Sequence, residues 1–184
     1  MKQDYFQPRD LKSKTLAEIQ SEFKELGLPK FRALQVYRWL HRGVEDFSQM
    51  SDLSKALREE LSQKFEIAWA EVEQKRVSKD GTVKYLFRLP DGEHVESVLM
   101  HYHHGTSICI STQVGCKMNC SFCATGQSGF ARNLSPSEIL SQVQSASLDS
   151  GERISHIVLM GRGGPLDNYE SVLRFLELVT PPRG

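Results

Sequence analysis

Residues 135–166 read SPSEILSQVQSASLDSGERISHIVLMGRGGPL, and the fold class turns on how this stretch divides. Ser135-Pro136-Ser137-Glu138 is a capping box, in which hydroxyl and carboxylate satisfy the free N–H groups of a helix start, with proline at the first helical position. Ile139, Val143 and Ala146 carry the apolar face of that helix, and Gly151 ends it. Ile154 to Met160 is an apolar run suited to a buried parallel strand, and Gly161 to Pro165 is a turn. Working outward, Ser107 to Ser111 reads as a preceding strand and Tyr169 to Val179 as a following helix. Strand, helix, strand, helix with short glycine-bearing turns is the α/β pattern.

Two further regions precede it. Residues 13–66 carry helical periodicity. Thr15-Leu16-Ala17-Glu18 is a second capping box, followed by an apolar stripe of Leu16, Ile19, Phe23 and Leu26; Gly27 and Pro29 stop that helix. The pattern predicts a second helix over Lys30 to His41 and a third over Asp52 to Phe65, with Leu53, Leu57 and Leu61 inside. Residues 70–102 read as a three-stranded meander, with hairpin signals at Asp80-Gly81 and Asp91-Gly92.

Composition narrows the function classes. The 23 basic and 23 acidic residues cancel, so bulk charge gives no argument for nucleic acid and attention moves to local patches. The apolar runs are far too short to span a bilayer. Met1-Lys2-Gln3-Asp4 has no apolar core, so no secretory signal is read. Four cysteines without such a signal suggest a reducing, cytoplasmic setting, where cysteine clusters serve metals or catalysis more often than disulfides.

Cys116-Lys117-Met118-Asn119-Cys120-Ser121-Phe122-Cys123 is the most informative stretch, with thiols at C-x3-C-x2-C spacing in a loop after a strand. Three thiolates can hold three irons of a four-iron cluster and leave the fourth open for a substrate ligand. Zinc is the alternative, with His101, His103 or His104 completing a tetrahedral site. Plain packed cysteines are the third reading.

The spacing resembles that of the radical S-adenosylmethionine enzymes. The flanking residues are similar to one branch, the RlmN/Cfr family of adenine RNA methyltransferases. The resemblance is carried by Ser111 to Cys116, Cys120 to Gly126, Gly129 to Leu134, His94 to Leu99 and Phe31 to Leu40. It implies a helical N-terminal RNA-binding unit over residues 1–68, an antiparallel β meander over 69–104 and the first βα units of an incomplete (β/α) barrel over 105–184. It further implies methyl transfer to carbon 2 of an adenine in 23S ribosomal RNA and in transfer RNA. The implied cofactors are a 4Fe-4S cluster on Cys116, Cys120 and Cys123 and S-adenosyl-L-methionine near Gly163, Gly164 and Phe122. An electron donor such as flavodoxin or ferredoxin is implied, with no membrane and no obligate protein partner. Phe122 would shield the cluster or contact the adenine, or simply pack.

Glu96 matches the family's proton acceptor, needed because the adenine carbon that receives a methylene already bears hydrogen. By residue type alone it is an exposed strand carboxylate. Cys109 matches a thiol that forms a transient disulfide with a methyl-carrying cysteine; by residue type alone it is a buried small apolar residue. Two departures stand against the pattern. The methyl-carrying cysteine has no counterpart, since no cysteine follows Cys123. The family's Gly-Met-Gly-Glu-Pro-Leu reads here Gly161-Arg162-Gly163-Gly164-Pro165-Leu166. The missing carboxylate would have held the amino group of S-adenosylmethionine. A charge-assisted hydrogen bond contributes ~1.5–3 kcal/mol, so its loss weakens binding by roughly one to two orders of magnitude. The expectation is a truncated form of doubtful activity, from a decaying or frameshifted gene or a sequencing error, with a non-catalytic RNA-binding fragment or a structural zinc module as alternatives.

Lys24 to Arg42 interleaves Lys24, Lys30, Arg32, Arg38 and Arg42 with Phe31, Tyr37, Trp39 and His41 against one acid, Glu25. Basic groups for phosphates and aromatics for stacking suit structured RNA. An ordinary solvated helix face with core aromatics fits the same composition.

Overall fold

The computed structural model describes residues 9–118, 120–127 and 129–180. Thr15 opens helix α1 (Leu16–Glu25): its hydroxyl accepts from the Glu18 N–H, and the Glu18 carboxylate accepts from the Thr15 N–H. Helix α2 (Lys30–Arg42) starts after Pro29 and closes on Gly43 in the left-handed region, one residue beyond the expected end. Helix α3 (Lys55–Lys64) is shorter than the apolar pattern suggested. Its cap is Ser54, whose hydroxyl accepts from Leu57 N–H, so Asp52 and Leu53 lie outside it. The three helices close on one apolar cluster that includes Leu11, Phe23, Val36, Leu40 and Leu61.

Strands β1 (Glu71–Val77), β2 (Val83–Arg88), β3 (His94–Tyr102) and β4 (Gly105–Cys109) follow, each antiparallel to the one before. The first three are the expected meander, turning at Gly81 and Gly92 with positive φ. The chain then departs from simple strand–helix alternation. Strands β5 (Gln113–Gly115) and β6 (Phe130–Asn133) pair as a small antiparallel ribbon, and the cysteine loop and the short helix α4 (Ala124–Gln127) lie between them. Helix α5 (Pro136–Ser150) begins at the Ser135 box and ends at left-handed Gly151. Strand β7 (Ile154–Val158) pairs parallel with β4, and helix α6 (Tyr169–Val179) returns. The larger sheet has the order β1-β2-β3-β4-β7. The architecture is a helical bundle followed by a mixed sheet and a partial βα core that does not close into a full barrel.

Burial alternates along β3: Val95, Ser97 and Leu99 face inward, while Glu96, Val98 and Met100 stand half-buried on the other side. The inward face, with Tyr85, Phe87, Ile108 and Ile110, packs under Ile139, Leu140 and Ala146 of α5 and Phe175 of α6. Burying one such side chain contributes ~1.5–3 kcal/mol. The opposite face is open. The expectation of a buried β7 is corrected: all five of its residues are at least partly exposed, and Met160 just beyond is 79% exposed. Among the described residues β7 pairs on one side only, so its outer edge and one face meet solvent.

Helix α5 is buried on two sides. Ile139 and Leu140 meet the sheet, and a serine stripe meets the helical bundle. Ser137 hydroxyl donates to Asp10, Ser141 Oγ accepts from Lys12 Nζ at 2.7 Å, and Ser145 hydroxyl donates to Ala70 O at 2.6 Å. Gln144 adds a bond to Leu40 O at 2.9 Å.

Candidate active site

The ladder register sets the open face. Lys84, Val98, Cys109 and Val158 stand opposite one another across β2, β3, β4 and β7. Glu96 is one alternation along β3 from Val98, so it shares this face and is the diagonal neighbour of Cys109, a spacing of ~7–8 Å in an ordinary sheet. Glu96 Oε1 lies 2.8 Å from Lys84 Nζ, and Oε2 lies 3.1 Å from Arg162 Nη2. Burial alone would raise this carboxyl, but the hydrogen bonds from Lys84 and Arg162 outweigh it and hold it below the usual glutamate range. Burial pushes the Cys109 thiol up, against a smaller opposing backbone bond from Met160, so the sulfur is protonated at neutral pH.

The loop after β7 forms a floor beside this face. Gly161 N–H donates to Ile110 O at 3.0 Å, and a Cβ at position 161 would meet the Ile110 carbonyl at 2.6 Å. Thr112 N–H donates to Arg162 O at 2.9 Å. Gly164 N–H donates to Gln113 Oε1 at 3.0 Å. The Gln113 amide in turn donates to Asn133 Oδ1 and Asp167 Oδ2, each at 2.7 Å. Buried Asn168 donates to Thr112 O and Leu134 O at 2.9 and 2.8 Å. The expected loop residues Gly163 and Gly164 are thus tied to β5 and β6.

The cysteine loop stands over that floor. Its two ends cross where Cys116 N–H donates to Gly129 O at 2.8 Å; a Cβ on Gly115 would lie 2.1 Å from that oxygen, so only glycine fits. Lys117 reaches Asp167 at 3.0 Å, and Met118 Sδ lies 3.6 Å from where a Cβ on Gly164 would be. Cys116, Cys120 and Cys123 are all half-buried on this one loop. Three thiols at this spacing are the donor chemistry of an iron–sulfur cluster, so the residues fit that group. Among the described residues, however, no three His, Cys, Asp or Glu side chains are gathered as a ligand set. Phe122 is 91% exposed, so it does not serve as a packing residue in this chain. The zinc alternative is corrected. His101, His103 and His104 stand at the turn into β4, whereas the cysteines follow its far end; His101 is bound to Glu152 at 2.9 Å, and His104 packs on His103 and His156.

Comparison with known proteins gives the frame. A family profile described as the ribosomal RNA large subunit methyltransferase N-terminal domain matches residues 9–67. A probable dual-specificity RNA methyltransferase RlmN of Alkaliphilus metalliredigens is 50% identical over 176 residues, covering 95% of this chain and 50% of that protein. This chain is homologous to the RlmN-family radical SAM RNA methyltransferases. The RlmN of Lachnoclostridium phytofermentans is 48% identical over 177 residues. The crystal structure of a radical SAM methyltransferase from Sphaerobacter thermophilus superposes with a TM-score of 0.87 at 38% identity, covering 96% of this chain and 53% of that one. The chain spans about half the length of the curated RlmN relatives it matches.

Sequence reasoning missed three residues that the structure brings to this face. Lys84 was visible only as an outward position of β2. Gln113 was visible only as part of the matched motif. Arg162 was visible as a departure, without its partner Glu96. Lys84 and Arg162 need the strand register and the seating of the glycine loop, which bring both to Glu96, and Gln113 needs that same loop, whose Gly164 N–H it accepts from.

Proposed function

We propose that this chain is the front part of a radical SAM RNA methyltransferase that methylates carbon 2 of an adenine in 23S ribosomal RNA and in transfer RNA. The observation that carries the reading is the meeting of Glu96, Cys109, the glycine loop and the cysteine loop at one open sheet face, in a chain half-identical to RlmN relatives. Cys116, Cys120 and Cys123 would hold the 4Fe-4S cluster, which would supply the electron for cleavage of S-adenosylmethionine. Gln113 fixes the backbone at Gly164, where the cofactor's amino acid end would lie. Glu96 takes the proton from the adenine carbon at a carboxylate oxygen. Cys109 is the thiol for product release by disulfide exchange, which needs its proton removed first. Arg32, stacked on exposed Phe31 at 4.8 Å, and Arg38 give α2 an RNA-facing side, while Trp39 is tied to Asp52 at 2.5 Å. The reading includes a flavodoxin- or ferredoxin-type electron donor and a cytoplasmic setting.

A second reading, RNA binding without turnover, is favoured by the cations on Glu96 and the absent carboxylate at Gly164. Cleavage of S-adenosylmethionine separates the two. The first experiment is anaerobic reconstitution of the chain with iron and sulfide. About four of each per chain is expected, lost in Cys120→Ala. Zinc bound in preference, or iron that survives the substitution, would count against the assignment of these thiols.

A further inference from the structure

Two cations meet Glu96 from different elements, and each takes a different oxygen. Lys84 comes from β2 to Oε1. Arg162 comes from the loop after β7 to Oε2, with Nη2 at 3.1 Å and Nε at 3.3 Å. The arginine is also held by its backbone. Its N–H donates to Ser111 Oγ at 2.9 Å, that hydroxyl donates to Glu96 O at 2.7 Å, and its carbonyl accepts from Thr112. Gly161 against Ile110 and Gly163 against Gln113 leave the loop no room to shift toward the sheet. With its backbone held at both N–H and C=O, the arginine can release Glu96 by side-chain rotation without moving the loop. Other charged or titratable groups share this face: Arg76 stands opposite Lys84 across the β1–β2 ladder, Arg88 pairs with Glu71 and Glu73, His94 bonds Glu73 at 2.7 Å, and the Cys109 thiol is protonated. A methionine at position 162, as the family motif has it, would offer no donor.

We propose that Arg162 is a positioning residue for Glu96 that brackets its carboxylate with Lys84, joins β3 to the glycine loop, and must rotate away before Oε2 can accept a proton. The catalytic half of this rests on Glu96 being the proton acceptor; the bracket does not. The pair is about one-third exposed on both sides, so salt and water compete with it.

The test is a pH titration of the Glu96 side-chain carboxyl by carbon NMR on the full chain, with the signal assigned by its loss in Glu96→Gln. Arg162→Met should raise the midpoint by about one pH unit, and Arg162→Lys should recover part of that shift. In the unsubstituted chain the midpoint should also rise at 1 M salt, a reading that needs no variant to fold. An unchanged midpoint in Arg162→Met, with Thr112 and Ile110 amide signals preserved, or no response to salt, overturns the bracket. Neither cofactor nor RNA is present in the titration. Failure of the methyltransferase reading therefore leaves the shift standing, and failure of the bracket leaves that reading untouched.

Discussion

Gly161, Gly163 and Gly164 stand in one loop but answer to different constraints. Gly161 lies so close to Ile110 that any side chain would meet its carbonyl. Gly163 has φ +99° and a Cβ there would press on Gln113 at 2.6 Å. Gly164 has neither restriction: a Cβ would sit in ordinary contact with Met118 at 3.5 Å and Asp167 at 3.8 Å. Gly163→Ala should therefore cost about 1–3 kcal/mol of stability, while Gly164→Glu should stay within about 1 kcal/mol of the parent. Urea unfolding of both variants decides it, and equal losses would contradict the steric distinction. The chain order alone displays three glycines and one missing carboxylate. Which of the three the backbone requires depends on Ile110 and Gln113, both far upstream, and that information arrives only with the fold.

The elements most legible in the sequence are those whose ends are written locally. The Thr15 and Ser135 capping boxes and the Asp80-Gly81 and Asp91-Gly92 turns lie where local chemistry puts them. The third helix was overextended because apolar spacing does not mark a start, whereas the Ser54 hydroxyl does. Helix α5 was read as having one working face. Its serine stripe carries no apolar signal, yet it docks the helical bundle through hydrogen bonds. At the centre of that seam Lys12 is fully enclosed: Nζ donates to Ser141 Oγ and lies 4.3 Å from the Trp69 ring centre. Burial pulls its pKa from 10.5 to about 7, against smaller opposing effects of Asp10 and Glu45. The unfolded chain keeps the ordinary lysine value. Between about pH 7 and 10.5 the unfolded state then binds the extra proton, so stability rises with pH across that window by up to ~1.4 kcal/mol per unit. Below pH 7 both states are protonated and the cost of enclosing the charge is constant. Chemical denaturation at pH 7, 8.5 and 10 should show this rise, and Lys12→Met should flatten it. Parallel curves for the two proteins would refute the assignment.

At the scale of the whole molecule, one sheet links parts that the sequence presents in separate styles. The α/β pattern was legible, and so was the meander. Their fusion was not, because the antiparallel ladder passes into β4 and on to parallel β7 without a change of sheet. The seam between the two apolar clusters was equally hidden. It is made of polar groups such as Asp10, Lys12 and Ser13, together with the Arg174–Glu18 pair at 2.7 Å. Such groups read as surface until their partners are known.

The strand order has a consequence in time. Each ladder from β1 to β4 closes across a turn, whereas the β4–β7 pair must wait for the cysteine ribbon and all of α5 to be gathered in. Loop closure of that length is slow relative to hairpin formation. The Ile110 and Thr112 N–H groups donate to Val158 O and Arg162 O, so their amides report that late event. In pulse-labelled hydrogen exchange they should gain protection after the amides of β2 and β3; simultaneous protection would remove the ordering. Until β7 arrives, the glycine loop is not seated against Gln113 and Met118 has nothing beneath it. On the proposed cluster reading, the loop that carries the three thiols is seated only once β7 has docked, so metal insertion would compete with thiol oxidation late in folding.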